Sequence, residues 1–550
     1  MMIFPIKALW QPSKALARPS IRYSEFARRD RFRVTETGCF SEFRLKTLMC
    51  LALLSALLVQ TTAGAQTSPA EQRLRLYQEK QARLQEKFSR EMHALADYCE
   101  SQSYFKDAEA IRLRAQPPEG RADELDDLPE AMLPSISPLL PDNEKQWRLK
   151  LRKLETDYSN ELYKIARDAL HRGYPSLVFQ LIREVAYYNP DNRNARGMLG
   201  YVLDKGKWNT SFQKFMASHK LVDHPQFGWI EEKIVARYEN GERQFDGQWM
   251  SAEKEAALRS DFNNAWEVGT EHFLVRTNLS LEKGVEISRS LEKFHNFFLR
   301  EYTAFFSSPQ QMERLLESGS KAQWKPSQRY HVHYYRNKDE FISALVARQP
   351  QIEKANGLYM PADRIAYFYY DEDPDDTPEQ RADKRETMYH EVTHQLLGES
   401  RARTVDVGER GNFWVIEGFP CYLESYRPDA EGSHVGNPRH IRIYWARRRA
   451  LEENIYWPMR EFTKLGKKDF PLEADAYNQA AGMSHFFLNY EDGLYRDAFI
   501  QFLSNVYDPV ERLRNNAVSL EQLTGVKYEI LDQQYLKYLG TLPGGPPTGL

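Results

Sequence analysis

Five residues, His390-Glu391-Val392-Thr393-His394, constrain this chain more than any other stretch. They sit in RADKRETMYHEVTHQLL, just after Thr377-Pro378-Glu379-Gln380. Thr377 suits an N-cap, Pro378 the first helical position, and Gln380 completes a capping box. The pattern predicts one helix from there to Gly398, a residue suited to the end of a helix. Positions i and i+4 share a helix face, so both imidazoles can reach one ion, and neutral imidazoles suit zinc. Glu391, a fraction of a turn away, can touch a water without ligating the metal. Met388, Val392 and Leu396 form the apolar stripe that would bury such a helix. The plainer reading is two structural histidines on a buried helix.

A metal site needs a third protein ligand. A histidine at position 400 would give the metzincin extension, but Ser400 stands there. The segment WVIEGFPCYLE begins at Trp414 and places Glu417 23 residues after His394 on a second helical stretch. That separation allows an antiparallel return beside the first helix, and a glutamate there completes a His2Glu set with one open position. Asp406, Glu409 and Glu424 compete for the role. Pro420 is tolerated only in a first turn or at a bend, which predicts a helix starting near 416–419.

HEVTHQLL followed by WVIEGFPCYLE resembles the gluzincin pattern HExxH…WxxEGxAxYxE of MA-clan-like metallopeptidase domains in exported bacterial proteins. YNQAAGMSHFFL (477–488) and SLEQLTG (519–525) are similar to later segments of that family. The resemblance covers roughly 266–540 and departs at Pro420, where the family has alanine. It implies a zincin-like α+β catalytic domain, with a mixed sheet, the HExxH helix and a helical C-terminal lobe. It also implies His390, His394 and Glu417 as zinc ligands and Glu391 as general base. Acyl transfer needs a further group to stabilise the oxyanion. Tyr477 is the first candidate, then His485 and Tyr426. In zincins an edge strand lies over the cleft, and Ile365–Tyr370 holds that place in chain order, where it could bind an extended peptide by strand addition.

The domain around this motif alternates strands and helices. His272–Arg276, YHVHYY (330–335) and a hairpin of Gly357–Met360 with Ile365–Tyr370 read as strands. Ser280–Phe306 and Lys338–Ala347 read as helices. His331 and His333 share a strand face with no third ligand near in sequence, so they read as structural. Residues 66–142 are a charged helical segment, with a stripe of Leu74, Tyr77, Leu84, Phe88 and Met92, followed by a Pro-rich linker. Residues 143–265 begin as a helical hairpin of the tetratricopeptide kind, with Asn189-Pro190-Asp191 as its turn, which must stack on neighbours. They continue as an irregular module with Trp208, Trp229 and Trp249. A mainly α-helical region is therefore expected to precede the α+β domain. Residues 541–550 read as a disordered tail.

The front of the chain reads as an address. Leu48–Val59 is too short for a comfortable membrane span. Arg44 and Lys46 precede it and Ala63-Gly64-Ala65 follows, so residues 1–65 read as a secretory signal cut before Gln66. An uncleaved anchor is the alternative. The first 47 residues carry ten basic and four acidic side chains, unusual for such a leader, which suggests a true start near Val34 or Leu45. With the formal charge of −3, removal leaves about −9, which gives no reason to expect nucleic acid as a partner. Cys99 and Cys421 remain, read as unpaired buried thiols, with Cys421 beside the metal site rather than a ligand of it.

These features predict an exported zinc-dependent metallopeptidase acting on peptide or protein substrates. A non-catalytic exported scaffold that binds protein partners through its helical N-terminal region is the alternative. So is a zinc amidase acting on cell-wall peptides.

Overall fold

Short runs of apolar and aromatic residues build a five-stranded mixed sheet in the C-terminal half. The computed structural model describes residues 69–116, 125, 128–320, 323–371, 375, 377, 380–381, 384–401, 407–429 and 432–545. The segment expected to be a signal, Asp406, much of the linker between 117 and 127, and residues 546–550 lie outside them. Residues from Leu74 onward belong to one compact unit, and every contact below lies within it. No helix among the described residues is long and apolar enough to cross a membrane.

Helices α1 (Pro69–Ser101), α2 (Phe105–Arg114), α3 (Asp142–His171), α4 (Pro175–Tyr188) and α5 (Arg193–Met198) share one core. Tyr77, Phe88 and Met92 of the predicted stripe are buried in it, with Phe88 stacked on Tyr158 at 4.1 Å. Cys99 is free and lies in this core.

Residues 202–259 are regular, not irregular as expected. They form three successive hairpin–helix units. The first is β1 (Val202–Asp204), β2 (Lys207–Asn209) and α6 (Ser211–Ser218). The second is β3 (Leu221–His224), β4 (Gly228–Glu231) and α7 (Val235–Glu239). The third is β5 (Glu242–Phe245), β6 (Gln248–Ser251) and α8 (Ala252–Arg259). Trp208, Trp229 and Trp249 each sit on the second strand of a unit. Lys205-Gly206 and Asp246-Gly247 have positive φ at both residues, the two-residue turn that matches strand twist. Thr210 and Ser251 then cap the following helices.

The large sheet runs in the order β10-β11-β9-β8-β7. Its strands are β7 (Trp266–Gly269), β8 (Phe273–Thr277), β9 (Tyr330–Tyr335), β10 (Gly357–Met360) and β11 (Ile365–Tyr369). β8, β9 and β11 are mutually parallel, while β7 and β10 run antiparallel at the two edges. The edge strand on this side is therefore β10, and Ile365–Tyr369 lies inside the sheet, contrary to expectation. One face (Phe273, Val275, Val332, Ala366, Phe368) packs on α9 (Leu281–Glu301) and on the helix that carries His390 and His394. The other face (Tyr335, Leu358, Tyr367) packs on α12 (Lys338–Leu345).

The predicted helix over 280–306 is broken. Ser280 caps α9, but Tyr302, fully buried against Phe419, takes φ −123 and ψ 31. Short α10 (Thr303–Phe306) follows, then α11 (Pro309–Ser318). Met312 and Leu316 of α11 enter the N-terminal helical core, so the expected boundary at residue 266 does not separate two cores. Gly197 and Gly319 meet at this joint, and the Ser320 N–H donates to Gly197 O at 3.0 Å. A Cβ on Gly197 would stand 3.1 Å from Gly319 Cα.

Helix α13 spans Glu386–Glu399. Thr377 and Gln380 do exchange capping bonds, at 2.8 and 3.2 Å, but Arg385 interrupts the path and the helix restarts after it. Its far end passes Gly398, because Glu399 accepts from Arg364 and Gln395 and so stays wound. Next come α14 (Phe413–Leu423), the hairpin β12 (Arg427–Asp429) and β13 (Gly432–His434), α15 (Ile441–Leu451), α16 (Ala474–Asn489), α17 (Arg496–Val506) and α18 (Tyr528–Thr541). Helix α18 runs into the segment expected to be a loose tail, and Leu542 packs against Cys421, Ile443 and Ala481.

Candidate metal centre

Helix α13 carries the motif at the junction of sheet and helices. Met388, Val392 and Leu396 face the core, which turns His390 and His394 together toward α14. Their Nε2 atoms are 3.1 Å apart. The first N–H of α14 is capped by Leu465 O, and that of Asn412 by Thr463 O. Every residue of α14 is buried, including Glu417. Glu417 Oε2 is 3.7 Å from His390 Nε2 and 3.8 Å from His394 Nε2. Its other oxygen, Oε1, is buried with no hydrogen-bond partner. Two imidazole nitrogens and a carboxylate converging on one point, with a buried oxygen left over, are a donor set that fits zinc.

Pro420 does not start α14 as expected; it lies inside the helix, with the chain helical from Phe413. A proline ring forfeits the hydrogen bond to the carbonyl four residues back, here that of Ile416. Packing offsets that loss: α14 lies so close to α16 that a Cβ on Gly418 would stand 2.5 Å from Ala480 O.

Glu391 is 1 % exposed, and its Oε2 accepts the backbone N–H of Tyr359 on β10 at 2.8 Å. Burial raises its carboxyl above the ordinary range, against the pull of His390 and of that N–H. For His390 burial acts downward, but Cys421, Glu417 and Glu424 outweigh it and the ring sits well above its usual value. Burial and then His390 push His394 well below. His390 Nδ1 meets Glu424, and its Nε2 faces that of His394. A cation bound between the two Nε2 atoms would require both to be free of protons.

No protein-family model matches the chain, and no curated protein matches it at a significant level.

Of the competing third ligands, Glu409 faces Lys467 at 3.5 Å and is not in the cluster. Glu424 turns to the back of His390, where Oε1 meets Nδ1 at 2.8 Å. Burial raises the Glu424 carboxyl, but Arg442 and His390 outweigh it and hold it well below the ordinary range. Cys421 is a free, buried thiol beside His390 and Glu424.

Tyr477 lies on α16, packed edge-on to Phe470 at 5.6 Å. It also packs against the patch of Cys421, Ile443 and Ala481, and burial, then the charges of Glu417 and Cys421, raise its hydroxyl. The other two oxyanion candidates are engaged elsewhere. His485 is held between Gly436 O (2.9 Å) and the Tyr538 hydroxyl (2.7 Å). Tyr426 shares a hydrogen bond with Ser433 inside an aromatic cluster. His333 packs among Phe262 and Tyr367, and burial pushes it down to about 4. Among the described residues neither His331 nor His333 joins a metal-ligating group.

Sequence reasoning missed the Tyr359 N–H, a backbone donor with no side-chain signature. It also missed Arg442, 18 residues beyond Glu424, which nothing in the motif announces.

Proposed function

We propose that this chain is an exported zinc-dependent hydrolase of peptide bonds, a gluzincin-like metallopeptidase. The observation that carries the reading is the convergence of His390 Nε2, His394 Nε2 and Glu417 Oε2 beside a buried Glu391. These three residues would hold the ion. Zinc, when bound, supplies Lewis acidity that polarises a substrate carbonyl and acidifies water. Glu391 is held through Oε2, so Oε1 is the oxygen that takes a proton from the attacking water and returns it to the leaving amine. Strand β10 is the sheet edge that reaches Glu391, and an extended peptide added along it would bring its carbonyl to the same place. Tyr477 is the residue of this chain suited to donate to the oxyanion.

The reading is tested by the zinc content of residues 66–550, wild type beside Glu417→Gln and His394→Ala. About one equivalent in the wild type, lost in both variants, supports the His2Glu site. A peptide-library digest with Glu391→Gln as control then tests hydrolysis. A wild type that takes up no zinc when it is supplied favours the scaffold reading.

A further inference from the structure

Behind His390, on the side away from Glu417, charged side chains interlock in the protein interior. Glu424 Oε1 takes the His390 Nδ1 hydrogen bond at 2.8 Å. Arg442 grips the same carboxylate with two donors, Nε to Oε2 at 2.8 Å and Nη2 to Oε1 at 3.1 Å. Glu386, one turn before His390 on α13, accepts from Arg427 at 2.7 Å and lies 3.2 Å from His440 Nε2. Glu424 is 3 % exposed and Arg442 6 %.

Burying these charges costs several kcal/mol each unless they are paired, so the pairing must be nearly complete for the arrangement to persist. Two carboxylates facing two guanidiniums meet that condition. The placement of Arg442 is otherwise unfavourable. It is the second residue of α15, where a cation opposes the helix dipole. Its fork is what suits it to the place, because a planar guanidinium matches both oxygens of a carboxylate and an ammonium does not.

We propose that Arg442 is a positioning residue for the metal centre: by gripping Glu424 it fixes the His390 ring with Nε2 aimed at the point shared with His394 and Glu417. Arg442 touches no ligand atom and acts only through Glu424. The inference rests on the zinc reading above. A histidine ligand fixed through its other nitrogen binds more tightly, and loss of such support typically costs about 10–100-fold in metal affinity.

The test is zinc affinity of the full chain, by chelator competition at one pH, for wild type, Arg442→Gln, Glu424→Gln and the double variant. Arg496→Gln, which breaks a half-buried ion pair with Glu301 that includes none of the three ligands, controls for general destabilisation. Circular dichroism establishes that each variant is folded. Arg442→Gln should bind zinc about 10–100-fold more weakly, and the double variant no more weakly than Glu424→Gln. Arg496→Gln should match wild type.

If Arg442→Gln does not fold, Arg442→Lys replaces it, keeping the charge without the fork, and should still bind more weakly than wild type. Wild-type affinity in Arg442→Gln, or in Arg442→Lys where that stands in, overturns the proposal alone. So do additive losses in the double variant, or an equal loss in Arg496→Gln. A wild type that binds no zinc overturns the metal reading itself.

Discussion

The backbone N–H of Tyr359 donates to Glu391 Oε2 at 2.8 Å, joining the outermost strand of the sheet to the middle of the HExxH motif. The bond leaves the carboxylate one free oxygen and fixes its direction. Glu391→Gln can keep the bond, because an amide oxygen also accepts. This variant should retain zinc and fold while hydrolysis falls at least about 100-fold. Metal analysis and peptide turnover on the same preparation check both halves.

Gly418 is a second close approach, between α14 and α16. Glycine to alanine inside a helix ordinarily gains up to about 1 kcal/mol. Here the new Cβ would meet backbone, Ala480 O at 2.5 Å and Ala480 C at 2.6 Å, which cannot swing aside. Gly418→Ala should therefore destabilise by about 1–3 kcal/mol. Because Glu417 precedes it, zinc affinity should fall too. Thermal unfolding with and without zinc measures the two effects.

His485 sets a pH dependence. Burial pushes its pKa down to about 4, from an ordinary value of 6.5. Between those values the unfolded chain binds a proton that the folded chain does not. Stability therefore falls as pH drops from 6.5 toward 4, by up to about 1.4 kcal/mol per pH unit. His485→Gln removes this contribution while keeping a donor for Gly436 O. Urea unfolding at pH 7 and pH 5 should show a smaller acid loss in the variant than in wild type.

Leu316 is 4 % exposed in the N-terminal helical core although it belongs to α11. Leu316→Ala should cost about 2–5 kcal/mol. A fragment starting at residue 266 would leave Met312 and Leu316 uncovered and should aggregate, where residues 69–545 give a monodisperse folded protein. Size-exclusion chromatography of the two distinguishes them.

Local patterns were legible where one element's own residues decide them. The strands YHVHYY, Gly357–Met360 and Ile365–Tyr369 lie at or within a residue of the expected places, because a short aromatic and apolar run bounded by turn residues is a property of one segment. The helical stripe of Tyr77, Phe88 and Met92 is buried for the same reason. The hairpin repeats carried a signal that went unread, a Gly-x-Trp spacing in two units and Asp246-Gly247 in a turn.

The chain alone determined which residues can act as ligands and base, since two imidazoles four residues apart on a helix share a face whatever surrounds them. Only the tertiary structure decided how they are used. It brought Glu417 rather than Glu424 to the front of the histidines, placed Arg442 behind them, made β10 the sheet edge, and kept α14 helical through Pro420. Each of these depends on contacts between segments distant in the chain, whose packing outweighs a local preference of about 1–3 kcal/mol.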